Sequence, residues 1–318
     1  MKTNRPPGLS RRHFLTCTAM GTAVTFFLPR RLFADGESPV MVIRGAAATA
    51  KITIQKLRGN VSVLQGSGGN IAVLTGRDGK VLVDAGITAS RPPITDALAE
   101  ISSDPVRALI NTHWHFDHTD GNEWLHSIGA EITAQENTRK HLLEPTRVDA
   151  WNFTFPPSPK GALPTKVFKK ERELHVNGTR LALEYYGPSH TDSDISVYFG
   201  DADILHVGDT CWNGHFPFID YNTGGSINGM IQAAEANVAR VTKKAIVIPG
   251  HGPIGDKAGL IDFRDMLVTV REKVAGLKKQ GKSLEETLAA KPTAEYDEKW
   301  GHYVIDGKTF ASLVYQGV

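Results

Sequence analysis

The stretch Asn111-Thr112-His113-Trp114-His115-Phe116-Asp117-His118 constrains the fold most, because it crowds three imidazoles and a carboxylate into six positions. Val106 to Ile110, just before it, reads as a buried β-strand, so the cluster starts where a strand gives way to a loop. A core seldom takes in four such groups together unless each finds a partner. In an extended segment His113 and His115 point the same way, and a following turn brings Asp117 and His118 toward a second point about 3.5 to 4 Å away. One short loop can then serve two adjacent cations.

A hydrophobic fraction of 41% over 318 residues is enough for a substantial core and speaks against disorder throughout. Residues 1–34 stand apart, with six basic side chains (Lys2, Arg5, Arg11, Arg12, Arg30, Arg31) and no acidic one. Ser10-Arg11-Arg12-His13-Phe14-Leu15, the weakly apolar run from Thr16 to Pro29 and the small-residue end at Ala34 together resemble a bacterial twin-arginine export signal. Its apolar part, about 14 residues, falls short of the roughly 20 needed to cross a bilayer. The expectation is export by the twin-arginine machinery to the periplasm or beyond, with cleavage near Ala34. No stable membrane span should remain after processing, and residues 35–318 should form one domain.

Without residues 1–34 the chain holds 30 basic and 34 acidic groups, a net charge of −4 in place of +2. No long Lys/Arg stripe remains to track a phosphate backbone, which argues against nucleic acid as a partner. The cluster Lys166 to Arg172 is expected to turn its charges to solvent. Of the two cysteines, Cys17 lies in the expected signal, so Cys211 has no partner for an intramolecular disulfide. Stability must then come from the core and from any bound metal.

Turn signals separate alternating runs at Ala50–Leu57, Val61–Gln65, Asn70–Leu74 and Lys80–Asp84, which read as strands in successive hairpins. Helices are expected at Ile94–Ile101, Asn122–Ile128 and Asn137–Leu143, from Ser226 through Val241, and over Ile261–Lys279. Further strands are expected at Glu131–Ala134, Thr165–Phe168, Glu173–Val176, Thr179–Tyr185, Ile195–Phe199, Ile204–Val207 and Ala245–Ile248. Trp151–Pro164, rich in proline and aromatics, reads as a loop or flap. The order fits two sheets packed together and covered by helices.

His113-x-His115-x-Asp117-His118 resembles the signature of the metallo-β-lactamase fold hydrolases, and the resemblance continues downstream over roughly Ile52 to Gly252. His190 in Gly187-Pro188-Ser189-His190-Thr191-Asp192 resembles the family's third histidine, Asp209 in His206-Val207-Gly208-Asp209 its bridging carboxylate, and His251 in Ile248-Pro249-Gly250-His251-Gly252 its last histidine. Asp84 in Leu82-Val83-Asp84-Ala85-Gly86 resembles a buried support at an early strand end. The resemblance implies an α/β (α+β) fold, a four-layer αβ/βα sandwich of two mixed β-sheets flanked by helices. It also implies two zinc ions per chain, one held by His113, His115 and His190, the other by Asp117, His118 and His251, with Asp209 and a hydroxide between them. Nitrogen and oxygen donors suit zinc. Coordination lowers the pKa of water from about 15.7 toward neutrality, and Asp117 would orient the hydroxide that attacks an ester, lactone, thioester or amide in a small-molecule substrate.

Departures from the subtypes narrow this expectation. Redox members of the family carry Glu where His115 stands, and nuclease members add a clamp or inserted domain, for which the 67 residues after His251 leave little room. One group of class B β-lactamases has cysteine at the Asp209 position and a lysine near Trp212. A β-lactamase and a non-catalytic periplasmic metal- or ligand-binding module remain the alternatives. Trp151, Phe153, Phe155, Trp212, Phe216 and Phe218 are expected to form an apolar entrance, and His215 either packs in this aromatic loop or meets substrate. His206 reads first as a core histidine and second as support for the centre. Thr191, Asp192 and Asp194 are expected to support the ligands through hydrogen bonds.

Overall fold

A computed structural model describes residues 38–318, so the expected export signal lies outside the described residues. The first helix, α1 (Pro39–Ala47), precedes four strands, β1 (Thr53–Lys56), β2 (Val61–Gln65), β3 (Ile71–Leu74) and β4 (Lys80–Val83). Then follow α2 (Arg91–Ile101), β5 (Val106–Ile110), α3 (Phe116–Thr119), α4 (Asn122–Ser127), β6 (Glu131–Gln135), α5 (Glu136–Leu143), the hairpin β7 (Thr146–Val148) and β8 (Phe153–Phe155), and β9 (Lys166–Phe168). The second half runs β10 (Glu171–Val176), β11 (Thr179–Tyr185), β12 (Ile195–Phe199), β13 (Ile204–Trp212), α6 (Ile227–Arg240), β14 (Ile246–His251), β15 (Gly255–Asp256), α7 (Lys257–Lys279), α8 (Leu284–Ala289), α9 (Asp297–Trp300) and α10 (Gly307–Gly317).

Two mixed sheets result, ordered β1-β2-β3-β4-β5-β6-β9 and β10-β11-β12-β13-β14-β15. The first is antiparallel through β4 and parallel from β4 to β9, while the second is antiparallel except where β13 runs parallel to β14. The two-residue period of a strand assigns each side chain to a layer. Val61, Val63, Ala72 and Leu74 face the second sheet and meet Leu181, Leu183, Val197 and Ile248. Leu64, Ile71, Val73 and Leu82 face outward onto Ile94 and Leu98 of α2 and Trp124 and Leu125 of α4. On the far side, Leu205 and Val207 pack under Met230 of α6, Phe263 of α7 and Phe310 of α10. The molecule is the four-layer sandwich, and among the described residues no helix is long and apolar enough to cross a membrane.

Several elements differ from the sequence reading. Helix α1 was not expected. The stretch read as a loop from Trp151 contains β8, which pairs with β7 after a turn in which Asn152 takes a left-handed conformation (φ 45°). Helix α7 starts at Lys257, because the Asp256 side chain caps it by accepting from the Gly259 N–H. Strand β13 runs on to Trp212, and its pairing with β14 shifts register around Gly208. That residue takes φ +49°, and a Cβ there would lie 2.7 Å from the Thr112 side chain. The irregularity lets Asp209 leave the plain ladder and turn toward the loop after β5.

Candidate metal centre

Each donor is delivered by the end of a buried element at one edge of the sandwich. The loop after β5 carries His113 and His115, the short α3 carries Asp117 and His118, the β11–β12 loop carries His190, and the neighbouring strands β13 and β14 carry Asp209 and His251. Two groups form, His113/His115/His190/Asp209 and Asp117/His118/His251, and within each the donor atoms lie within 4.8 Å of one another. Asp209 Oδ2 stands 3.3 Å from His190 Nε2 and 3.4 Å from His251 Nε2, while Oδ1 stands 3.1 Å from His118 Nε2. Asp117 Oδ2 is 3.2 Å from His251 Nε2.

The far nitrogens of the rings are fixed from outside. His118 Nδ1 donates to Asp84 at 2.8 Å, and His190 Nδ1 to the Phe218 carbonyl at 2.8 Å. His115 presents Nδ1 inward, because its Nε2 is 3.0 Å from Asp220 Oδ2, which also accepts from Thr223. Asp84, buried at φ +68°, accepts from both the backbone N–H and the hydroxyl of Thr112. Two glycines leave room for this packing: a Cβ on Gly69 would lie 2.1 Å from the His118 ring, and one on Gly250 1.8 Å from Asp209 Oδ1.

The donor set fits a cation. His113 Nε2 is buried with no hydrogen-bond partner, and His115 Nδ1 and His190 Nε2 face each other at 2.8 Å. Burial opposes ionisation of Asp209, yet His251, His118, His190 and His113 outweigh it and hold the carboxyl well below its ordinary range. Burial likewise opposes charge on His118, but Asp209, Asp117 and Asp84 raise it well above the usual imidazole value. For His251 the same contest, won by Asp209 and Asp117, pushes the ring up to about 9. Burial, reinforced by His118, drives His113 the other way. The cavity floor thus demands positive charge, supplied by protons when metal is absent, and metal binding must displace them.

Above the donors opens a cavity of about 630 Å³, and Trp151, Trp212, His215 and Phe218 line it. Phe216 corrects the expectation for the entrance: it is fully buried and stacks on Phe310, with ring centroids 5.0 Å apart. Phe153 and Phe155 also stand back from the cavity, packed against each other, with Phe155 stacked on Phe116. Thr191 does not hold a ligand ring, since its N–H and hydroxyl both go to Asp194, tying the His190 loop together. His206 likewise supports no ligand ring; Nε2 donates to the Asn70 carbonyl and Nδ1 accepts from the Gly208 N–H. Asp192 pairs with His141 at 2.7 Å.

Two residues at the centre were missed. Asp220 was legible in principle, because a buried inward-facing His115 needs an outer partner and the aromatic loop ends in this aspartate. Tyr303 carried no signal; it reaches the cavity from the segment before α10, stacks on His215 at 4.6 Å and lies 6.0 Å from the His251 ring. Burial raises its hydroxyl, and Asp117 and Asp209 raise it further, so it stays protonated.

Known proteins resemble this chain in part of their sequence or in fold. The chain is 30% identical over 112 residues to the 2,4-dinitroanisole O-demethylase subunit alpha of Nocardioides sp. (strain JS1661), covering 35% of this chain and 30% of that protein. It is 29% identical over 123 residues to a hydroxyacylglutathione hydrolase of Synechococcus sp., covering 38% of this chain and 41% of that one. The chain thus matches less than half the length of either relative. Among solved structures, the inverting sec-alkylsulfatase Pisa1 from Pseudomonas sp. superposes with a TM-score of 0.64 at 18% identity, over 90% of this chain and 54% of that one, a likeness of fold alone. A sequence profile of the Metallo-beta-lactamase superfamily matches residues 64–255, which takes in the strands and loops bearing all seven donors, and the chain belongs to that superfamily.

Proposed function

We propose that the protein is a dinuclear zinc hydrolase that opens an ester, lactone, thioester or amide bond of a small molecule. One observation carries the reading: seven donors stand in two groups with Asp209 between them, and five of them, His115, Asp117, His190, Asp209 and His251, line a cavity large enough for such a substrate. His113, His115 and His190 would hold one ion and Asp117, His118 and His251 the other, with Asp209 shared. Bound zinc would supply Lewis acidity toward the scissile group and an acidified water. The chain's own residues do the rest. Asp117, 14% exposed at its side chain and so the donor most open to the cavity, accepts a proton from the attacking water. Asp84 and Asp220 keep His118 and His115 in the tautomers that turn a lone pair inward. Trp151 and Phe218, stacked at 5.0 Å, set apolar surface beside the His115 and His190 rings.

The test is a panel of alkyl ester, lactone, thioester, β-lactam and phosphotriester substrates with zinc-loaded protein and elemental analysis. We expect two zinc ions per chain, turnover of at least one carbonyl substrate, and loss of that turnover with a chelator. Folded protein that retains no metal would refute the reading, and two bound ions with no turnover would favour a binding module.

The proposal includes export of the folded protein by the twin-arginine route, supported by Arg11-Arg12 and the apolar run behind them. Arg11→Lys with Arg12→Lys preserves charge and is expected to leave full-length protein in the cytoplasmic fraction. Normal processing of that variant in the periplasm would show another route.

A further inference from the structure

The donors of the centre come from the part of the chain that matches the superfamily, residues 64–255, but much of the cavity wall does not. Pro39, Ile43 and Ala47 of α1, Ile54 of β1, and Val304 and Ile305 before α10 line the same cavity from outside that range. The two ends of the described chain thus wall the cavity and set what it admits. Among the described residues lining it, Lys51 is the one lysine or arginine, and it is exposed. Apart from Lys51 and the donors, the polar groups on its wall are uncharged, among them Gln65, Ser67, Asn70, His215, Tyr303 and the Trp212 indole N–H, which is buried without a partner. His215 has a buried Nδ1 without a hydrogen-bond partner, and burial, with His251 and His302, holds its ring down to about 4, so it is neutral at ordinary pH.

We infer that the substrate's body, apart from the group that reacts, is uncharged and apolar, and that α1 and the Val304–Ile305 segment select it. This rests on the hydrolase reading above. A carboxylate or ammonium placed against Ile43 or Val304 would leave water for apolar side chains, which is strongly unfavourable, and Lys51, the one lysine or arginine on the wall, is itself exposed to solvent. An alkyl or aryl chain there gains with every methylene it buries. The neutral His215 and Tyr303 offer hydrogen bonds to a carbonyl, ether or hydroxyl oxygen and do not compensate a second anion.

The experiment compares two esters of equal length, 4-nitrophenyl hexanoate and mono-4-nitrophenyl adipate, which differ in a terminal methyl against a terminal carboxylate. With zinc-loaded protein, kcat/KM is expected to favour the hexanoate by at least ~30-fold. Ile43→Lys is expected to narrow that ratio at least ~10-fold by giving the carboxylate a partner, and Val304→Lys serves as the second variant should the first not fold. Equal or better use of the adipate by the wild type would overturn the inference and assign Lys51 as an anion anchor. A second readout separates this from the hydrolase reading. The uncharged dye Nile red, bound in the cavity, is displaced by hexanamide or by adipic acid monoamide. Displacement at lower concentration by hexanamide supports the apolar body even if neither ester is turned over, in which case only the hydrolase reading fails. Equal displacement by the two amides overturns the inference.

Discussion

Asp209→Asn is expected to lower zinc content from about two ions per chain toward one and kcat/KM by at least ~100-fold. The change keeps the volume of a side chain that is 2% exposed, removes its charge and replaces one acceptor oxygen with an NH2 donor. That charge is the one group facing both donor sets, with Oδ2 within 3.4 Å of nitrogens from each. Two cations placed side by side repel, and a carboxylate between them offsets part of that repulsion. An amide does not, and its NH2 also points a proton at rings that must offer lone pairs. The set His113, His115 and His190 keeps three nitrogens, whereas Asp117, His118 and His251 keep two nitrogens and a more exposed oxygen, so the second ion should leave first. His206→Asn is the matched control. Its ring bonds only Asn70 and Gly208, and zinc content should hold near the wild-type value. Elemental analysis and steady-state kinetics on the best panel substrate decide the matter. Unchanged zinc and near-normal turnover in Asp209→Asn would reject the shared-carboxylate arrangement.

What could be read in the sequence was what is local. The apolar runs of β2 and β3 read as strands, whose fixed two-residue period sorts their side chains onto two faces, and β5, buried at Val106, Leu109 and Ile110, ends at the histidine loop. His190, Asp209 and His251 lie far from that loop in sequence, and resemblance, not periodicity, named them. The structure brings all three to it: β13 and β14 run parallel and carry Asp209 and His251 to the same edge as β5, and the β11–β12 loop carries His190 there, where the Ile195 N–H donates to the Thr112 carbonyl.

What could not be read depends on contacts between distant segments. Phe216 and Phe218 flank Pro217 in one loop, and nothing in their spacing says which ring faces the cavity. Phe310, 92 or more residues later, decides it by stacking on Phe216 and leaving Phe218 against Trp151. Tyr303, Val304 and Ile305 form no periodic element, so their place follows from where α9 and α10 dock. Helix α1 is a short apolar stretch after a composition break, and only its packing shows that Pro39, Ile43, Ala46 and Ala47 line the cavity. The candidate metal donors are thus concentrated in motifs, while the cavity wall beside them is assembled from tertiary contacts.

Asp84→Asn probes the layer behind the donors. At φ +68° the position suits aspartate or asparagine and strains most other side chains, so the substitution leaves the backbone undisturbed. Its hydrogen bonds are another matter. Oδ1 accepts from the Thr112 N–H at 2.7 Å, which cannot reverse, and Oδ2 accepts from the Thr112 hydroxyl and His118 Nδ1, both at 2.8 Å. An amide must keep its oxygen on the Thr112 N–H and therefore turns its NH2 toward His118. The imidazole can meet that donor only by accepting at Nδ1, which moves its proton to Nε2, the atom 3.4 Å from His251 Nε2 and aimed at the second donor group. The ring then faces the metal with a hydrogen in place of a lone pair. Zinc affinity of the second group is expected to fall ~10- to 100-fold, and the metal-free protein to lose about 2 kcal/mol as a buried acceptor is lost. Chelator competition measures the first effect and thermal unfolding of metal-free protein the second. Nitrogen NMR of His118, recorded at a pH where the ring is neutral, distinguishes this mechanism from general loosening, because only a tautomer switch moves the proton from Nδ1 to Nε2. Wild-type zinc affinity together with an unchanged Nδ1–H in the variant would show that Asp84 does not set the orientation of this ring.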